Sequence, residues 1–189
     1  LTHRARHVFV CMEITDVNQY HLRYDMPDSF YPAWKPGFEQ SEHEVLLFEL
    51  ETDAGISGVT TASGFAGRMD YLELAEMFLV GEDPREIESL VEKLDPLNLW
   101  GPRPWHFEVA LWDIVGKDAG KPIYELLGGS ADPIPAYAST GERRGVDGRL
   151  DYVHERVDEG FEAVKLRCQG DDPAPDLEVA RRIREALEN

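Results

Sequence analysis

Cysteine is scarce in this chain: Cys11 and Cys168 are the only two among 189 residues. Two thiols make neither a disulfide framework nor a metal cluster, and both are expected to be reduced, buried, small apolar residues. No apolar run approaches the roughly 18 residues a membrane helix requires. The opening residues, Leu1-Thr-His-Arg-Ala-Arg-His7, lack the apolar stretch of a secretory signal. A soluble, cytoplasmic protein is expected. There is no phosphate-binding glycine loop, since Gly55-x-x-Gly58 reads as a turn, and no internal repeat or low-complexity segment. Lysine is also rare, with five against fourteen arginines and 37 carboxylates, for a net charge of −18. Such a field repels nucleic acid and anionic membranes at long range and excludes both as partners. The acidity is spread along the chain. A dispersed acidic, lysine-poor surface suits concentrated salt, where screening removes self-repulsion, so a halophilic source is expected. The alternative is an ordinary acidic cytosolic protein.

What remains is enough for a core: 42% of residues are hydrophobic and 10% aromatic. Residues 8–14 and 44–51 are β-rich and able to pair, and the turn Thr52-Asp-Ala-Gly55 leads into a further strand over 56–61. Between the first two strands, residues 26–37 carry three prolines and three aromatics, more than a connector needs. From Asp70 the period becomes helical. Leu72, Ala75 and Leu79 share one face, and Ile87, Leu90, Val91 and Leu94 another, with Gly81 and Pro84 between them. A third stripe holds Phe107, Ala110, Leu111, Ile114 and Val115. Beyond Gly129 the pattern alternates: strand over 134–139, helix over 149–160, strand over 163–168, helix over 175–187. That order is the βα repeat of a parallel sheet or barrel. A complete barrel takes about 250 residues, so at most two βα units are expected here.

Lys165 and Arg167 stand two apart on the second of these strands, so their side chains share a face. A lysine beside a second cation has its protonated form disfavoured, which suits a general base. Two exposed charges on an edge strand are the plainer reading. The segment from Ala110 to Gly129 weighs between the two. It reads as the end of a buried helix, a Gly-Lys break, a short helical turn and a Gly-Gly exit. With Lys165-Leu166-Arg167 after it, this linkage resembles the join between capping domain and barrel in the enolase superfamily, in its mandelate racemase and muconate-lactonizing branches.

The resemblance implies an α+β capping domain over 1–129, followed over 130–189 by the first two βα units of a TIM-type barrel, incomplete in this chain. It implies an enzyme that removes the proton α to a carboxylate while Mg²⁺ stabilises the enediolate, acting on a small-molecule carboxylate such as an acid sugar. The whole protein is expected to be a homo-oligomer. In the family the strand carries Lys-x-Lys, and its second lysine is usually the base. Here Arg167 takes that place. Arginine binds carboxylates but is a poor base, which leaves Lys165 as the candidate base. A racemase needs bases on both faces, so a one-base acid-sugar dehydration is favoured. A cycloisomerase, epimerase or racemase of the same superfamily is the alternative, and a non-catalytic fragment is a third reading.

The family's three metal carboxylates sit on later strands, and no metal site is assigned in this chain. Asp171-Asp172 lacks a spaced third ligand. Ser139, Thr140 and Arg143 follow the first barrel strand, where substrate contact and loop capping are both open. Phe30, Tyr31 and Trp34, with Phe65, resemble the two capping-domain loops that close over substrate, the alternative being a hydrophobic tuck. Trp112 and Asp113 are expected to pack the capping helix on the barrel. His3 and His7 could face each other on a helix, but they sit in a basic terminus and read as solvated; His106 has no partner at ligand spacing.

Overall fold

The computed structural model describes residues 11–63, 71–99, 105–142, 144–168 and 172–187. The chain divides into two compact units, Leu1–Arg23 with Glu44–Ala131, and Tyr24–His43 with Asp132–Asn189. Among the described residues no helix is long and apolar enough to cross a membrane.

Strands β1 (Ile14–Phe30), β2 (Gln40–Thr52) and β3 (Ser57–Ser63) form a sheet in the order β1-β2-β3; residues 14–23 of β1, 44–52 of β2 and all of β3 belong to the first unit, and residues 24–30 and 40–43 to the second. β2 and β3 pair antiparallel, with Leu46 opposite Ala62 and Phe48 opposite Thr60. The turn between them works as the sequence predicts. Gly55 takes φ +71°, and the Thr52 hydroxyl donates to the Ile56 carbonyl at 2.6 Å. Gly58 is not part of that turn; it lies within β3.

Helices α1 (Tyr71–Leu79), α2 (Ile87–Leu94), a 3₁₀ turn (Asp95–Leu99) and α3 (Trp105–Ala119) follow. Ala75, Leu79, Leu90, Phe107, Ala110, Leu111 and Ile114 are fully buried with Phe48 and Leu50 of the sheet. All three predicted stripes thus face one core, where each large side chain contributes about 1.5–3 kcal/mol of transfer free energy. His106 belongs to this core, its ring 5.0 Å from that of Phe48 and 4.3 Å from that of Phe107. Burial lowers its pKa to about 4, so it is neutral at pH 7. Asp113 accepts the Val59 backbone N–H at 2.9 Å and the Lys117 ammonium at 2.7 Å, and Lys117 also donates to the Ser57 carbonyl. Asp113 therefore joins α3 to β3 within its own unit. Trp112 packs against the same core.

The Gly-Lys break falls at Gly120-Lys121, where Gly120 takes φ +62°; α3 runs straight through Gly116-Lys117. Helix α4 (Ile123–Leu126) is the short turn, closed by Gly128 at φ +78°.

In the second unit β4 (Ala138–Ser139), α5 (Val146–Asp158), β5 (Val164–Lys165) and α6 (Ala174–Leu187) give two βα units. β4 and β5 are parallel, with Ala138 opposite Val164 and Ser139 opposite Lys165. The parallel repeat is as expected, but the strands are short. Ile134 is exposed, and ladder pairing stops at Lys165.

Three readings need correction. The 26–37 stretch is not all loop, because β1 continues through Pro27 to Phe30. β1 is an edge strand of the sheet, where a missing N–H costs little. Of the predicted strand over 8–14, residues 8–10 lie outside the described residues, 11–13 are not strand, and Ile14 begins β1. Both cysteines are exposed, not buried: Cys11 precedes β1 and Cys168 follows the end of β5, so neither sits on a covered sheet face.

Candidate functional site

The candidate residues gather where β4 and β5 end. Thr140 follows β4, and its backbone N–H donates to the Lys165 carbonyl at 3.0 Å. Its hydroxyl donates to the same carbonyl at 2.8 Å and accepts the Arg167 backbone N–H at 3.0 Å. One side chain thus continues the β4–β5 ladder past its last regular pair. Thr140 holds the backbone on both sides of Leu166, the step that sets where Lys165 and Arg167 emerge.

The two cations meet different surroundings. Lys165 is exposed, its ammonium 5.7 Å from the centre of the Tyr137 ring. Arg167 is half-buried, with its guanidinium 4.6 Å from the Trp34 ring centre. Its Nε is buried and has no hydrogen-bond partner among the described residues. Trp34 is held there by its own segment. The Ala33 N–H donates to the Gly141 carbonyl at 2.9 Å, Pro32 forms a bridge with Glu142, and the Phe30 and Trp34 rings stand 5.8 Å apart.

A cleft of about 230 Å³ lies beside this strand end, lined by Phe30, Ser139, Thr140, Gly141, Glu142, Arg144, Arg149 and Tyr152. That is below the usual 300–1,000 Å³ of drug-sized sites and suits a small polar molecule. Of the residues singled out in the sequence, the structure brings Phe30, Ser139 and Thr140 to the cleft and joins Trp34 to Arg167. Lys165, Arg167, Tyr31 and Trp34 are not among its lining residues. Tyr31 turns instead to Glu39. That hydrogen bond raises the phenol's pKa, while bonds from Ser29 and then Tyr31 lower that of Glu39. Arg143 and Phe65 lie outside the described residues, as do His3, His7 and Asp171. Asp172 accepts the Ala174 N–H and caps the start of α6.

Several cleft residues were not singled out from sequence. Arg149 is buried, pairs with Asp176 at 2.5 Å, and donates to the Arg167 carbonyl at 3.4 Å, joining α5, α6 and the end of β5. Arg144 pairs with Glu142 and lies 5.1 Å over the Tyr152 ring. Helical spacing alone gives no signal for partners 27 residues apart. Among the described residues, no group of three or more His, Cys, Asp or Glu side chains is arranged to hold a metal ion.

Residues 38–128 match the mandelate racemase / muconate lactonizing enzyme N-terminal domain family. An arabinonate dehydratase from Saccharolobus solfataricus is 29% identical over 92% of this chain and 51% of its own length. A D-galactarolactone cycloisomerase from Agrobacterium fabrum is 31% identical over 93% of this chain and 49% of its own length. A solved enolase structure from Bradyrhizobium, complexed with magnesium and mandelic acid, matches with a TM-score of 0.74 and 26% identity. It covers 93% of this chain and 52% of that one. The chain spans about half the length of these relatives. It belongs to the enolase superfamily, and its residues 38–128 are the N-terminal domain of the mandelate racemase / muconate lactonizing branch.

Proposed function

We propose that this chain is the N-terminal part of an enzyme that removes the proton α to a carboxylate, with acid-sugar dehydration as the reaction. Residues 1–129 serve as the capping domain and 130–189 as the opening of the barrel. The observation that carries the reading is the parallel β4–β5 pair ending in Ser139 and Lys165, extended by Thr140 to Arg167. In a βα barrel that strand end is the catalytic face. Lys165 takes the α-proton, and Arg167 binds the carboxylate through its planar fork. The proton leaves C2, hydroxide leaves C3 with a proton from an acid, and the resulting enol becomes a 2-keto-3-deoxy acid. The arabinonate dehydratase likeness supports this reaction.

Mg²⁺ is part of the proposal for the whole enzyme, by analogy with the magnesium-bound Bradyrhizobium structure. The described residues of this chain do not fit such an ion, so its ligands are assigned elsewhere in the enzyme. The substrate is a small carboxylate, and the whole enzyme is assigned as a cytoplasmic homo-oligomer. Cycloisomerisation is the second reading, favoured by the Agrobacterium relative.

To test this, the chain followed by the rest of its barrel is incubated with Mg²⁺ and a panel of aldonates and aldarates. Loss of one water per turnover, giving a 2-keto-3-deoxy acid, is expected. Turnover of lactones or epimerisation without loss of water would transfer the assignment to the second reading.

A halophilic source is also proposed, on the strength of 37 carboxylates against 19 cations. Raising KCl from low to molar concentration should raise the melting temperature, because ions screen the net repulsion. A flat or falling curve would contradict it.

A further inference from the structure

We propose that Trp34 and Thr140 are positioning residues for Arg167, presenting its guanidinium to the substrate carboxylate from a fixed backbone and against a fixed ring. This rests on the proposed function and adds to it how the fork is held.

Arginines in this acidic chain generally hold carboxylates: Arg85, Arg144, Arg149, Arg156, Arg181 and Arg182 each pair with at least one. Among the described residues Arg167 pairs with none, although carboxylates outnumber cations 37 to 19. What it has instead is the Trp34 ring at 4.6 Å. A ring face stabilises a guanidinium without occupying its in-plane N–H groups, so the outer edge remains free for a planar acceptor. Its backbone N–H is fixed by the Thr140 hydroxyl.

Gly141 makes room for this arrangement. A Cβ there would lie 3.1 Å from the Phe30 ring and 3.5 Å from that of Trp34. The Ala33–Gly141 hydrogen bond fixes the Trp34 segment to the loop that Thr140 begins. Ring and backbone supports therefore converge on one guanidinium from two neighbouring segments.

The test is equilibrium binding by the whole enzyme of arabinonate and of its uncharged amide, which needs no turnover. Trp34→Leu should weaken arabinonate binding roughly three- to fivefold, the size of an accessible cation–π contact, and leave amide binding unchanged. Trp34→Phe, which keeps a ring face, should restore most of the loss. Thr140→Val should weaken arabinonate binding and Thr140→Ser should not. In an Arg167→Met background, Trp34→Leu should have no further effect. An equal loss for acid and amide, or an undiminished Trp34 effect without Arg167, would overturn the proposal. So would equal affinity of the unsubstituted enzyme for acid and amide. Retained α-proton exchange in Lys165→Ala would remove the base assignment while leaving this binding result standing.

Discussion

Gly58→Ala should be the most damaging single methyl in the first unit. A Cβ at Gly58 would stand 2.1 Å from the Ala110 carbonyl oxygen and 2.7 Å from Ile114 Cγ1. The obstacle is helix backbone, which no rotamer change can remove. Relief requires α3 to withdraw from β3, loosening Phe107, Ala110, Leu111 and Ile114 and lengthening the Val59–Asp113 bond. Overpacking of this kind costs about 3 kcal/mol, equal to roughly 6–12 °C in melting temperature for a chain of this size. Gly55→Ala gives the contrast. Its Cβ meets open space, so only the left-handed φ of +71° is penalised, at roughly 1 kcal/mol. Thermal melting of both variants separates the two causes. A Gly58→Ala melt no lower than that of Gly55→Ala would contradict the close approach of α3 to β3.

Gly58 also marks where the sequence stopped being legible. Paired with Gly55 it looks like a turn; only the helix that passes over it shows why that strand position has no side chain. Helix α3 itself was legible, because Phe107, Ala110, Leu111 and Ile114 repeat at helical spacing and all face one core. β1 is not legible in the sequence, although Tyr20, Leu22 and Tyr24 alternate with polar residues. All three are partly exposed on an edge strand, so the alternation does not mark a covered face, and Pro27 reads as a break.

The cysteines are exposed because both lie beyond strand ends, and residue type alone, which favours burial, does not carry that position. At the candidate site the Lys165–Arg167 spacing was readable, since strand period alone puts both on one face. The Thr140 bonds, the Arg149–Asp176 pair and the Trp34–Arg167 contact were not. Each joins residues from 25 to 133 positions apart, and only the folded chain supplies those distances.

The largest functional effect is expected at Lys165. Its side chain is exposed at the strand end and supports no buried packing, so Lys165→Ala should leave the fold intact. Removing a general base lowers the proton-transfer rate by roughly 10²–10⁴-fold. Arg167→Lys should act differently. It keeps a cation but loses the fork, so carboxylate binding weakens while a second amine able to serve as base stands on the same strand. If Lys165 is the base and Arg167 the carboxylate ligand, the first variant loses rate and the second loses affinity.

The measurement that decides this is incorporation of solvent deuterium at the α-carbon of whichever aldonate or aldarate of the panel the whole enzyme takes, followed by NMR with Mg²⁺. The account predicts ready exchange in the unsubstituted enzyme, with that acid still bound but exchange lost in Lys165→Ala. Exchange at the full rate in Lys165→Ala would show that the end of β5 is not where the proton is taken.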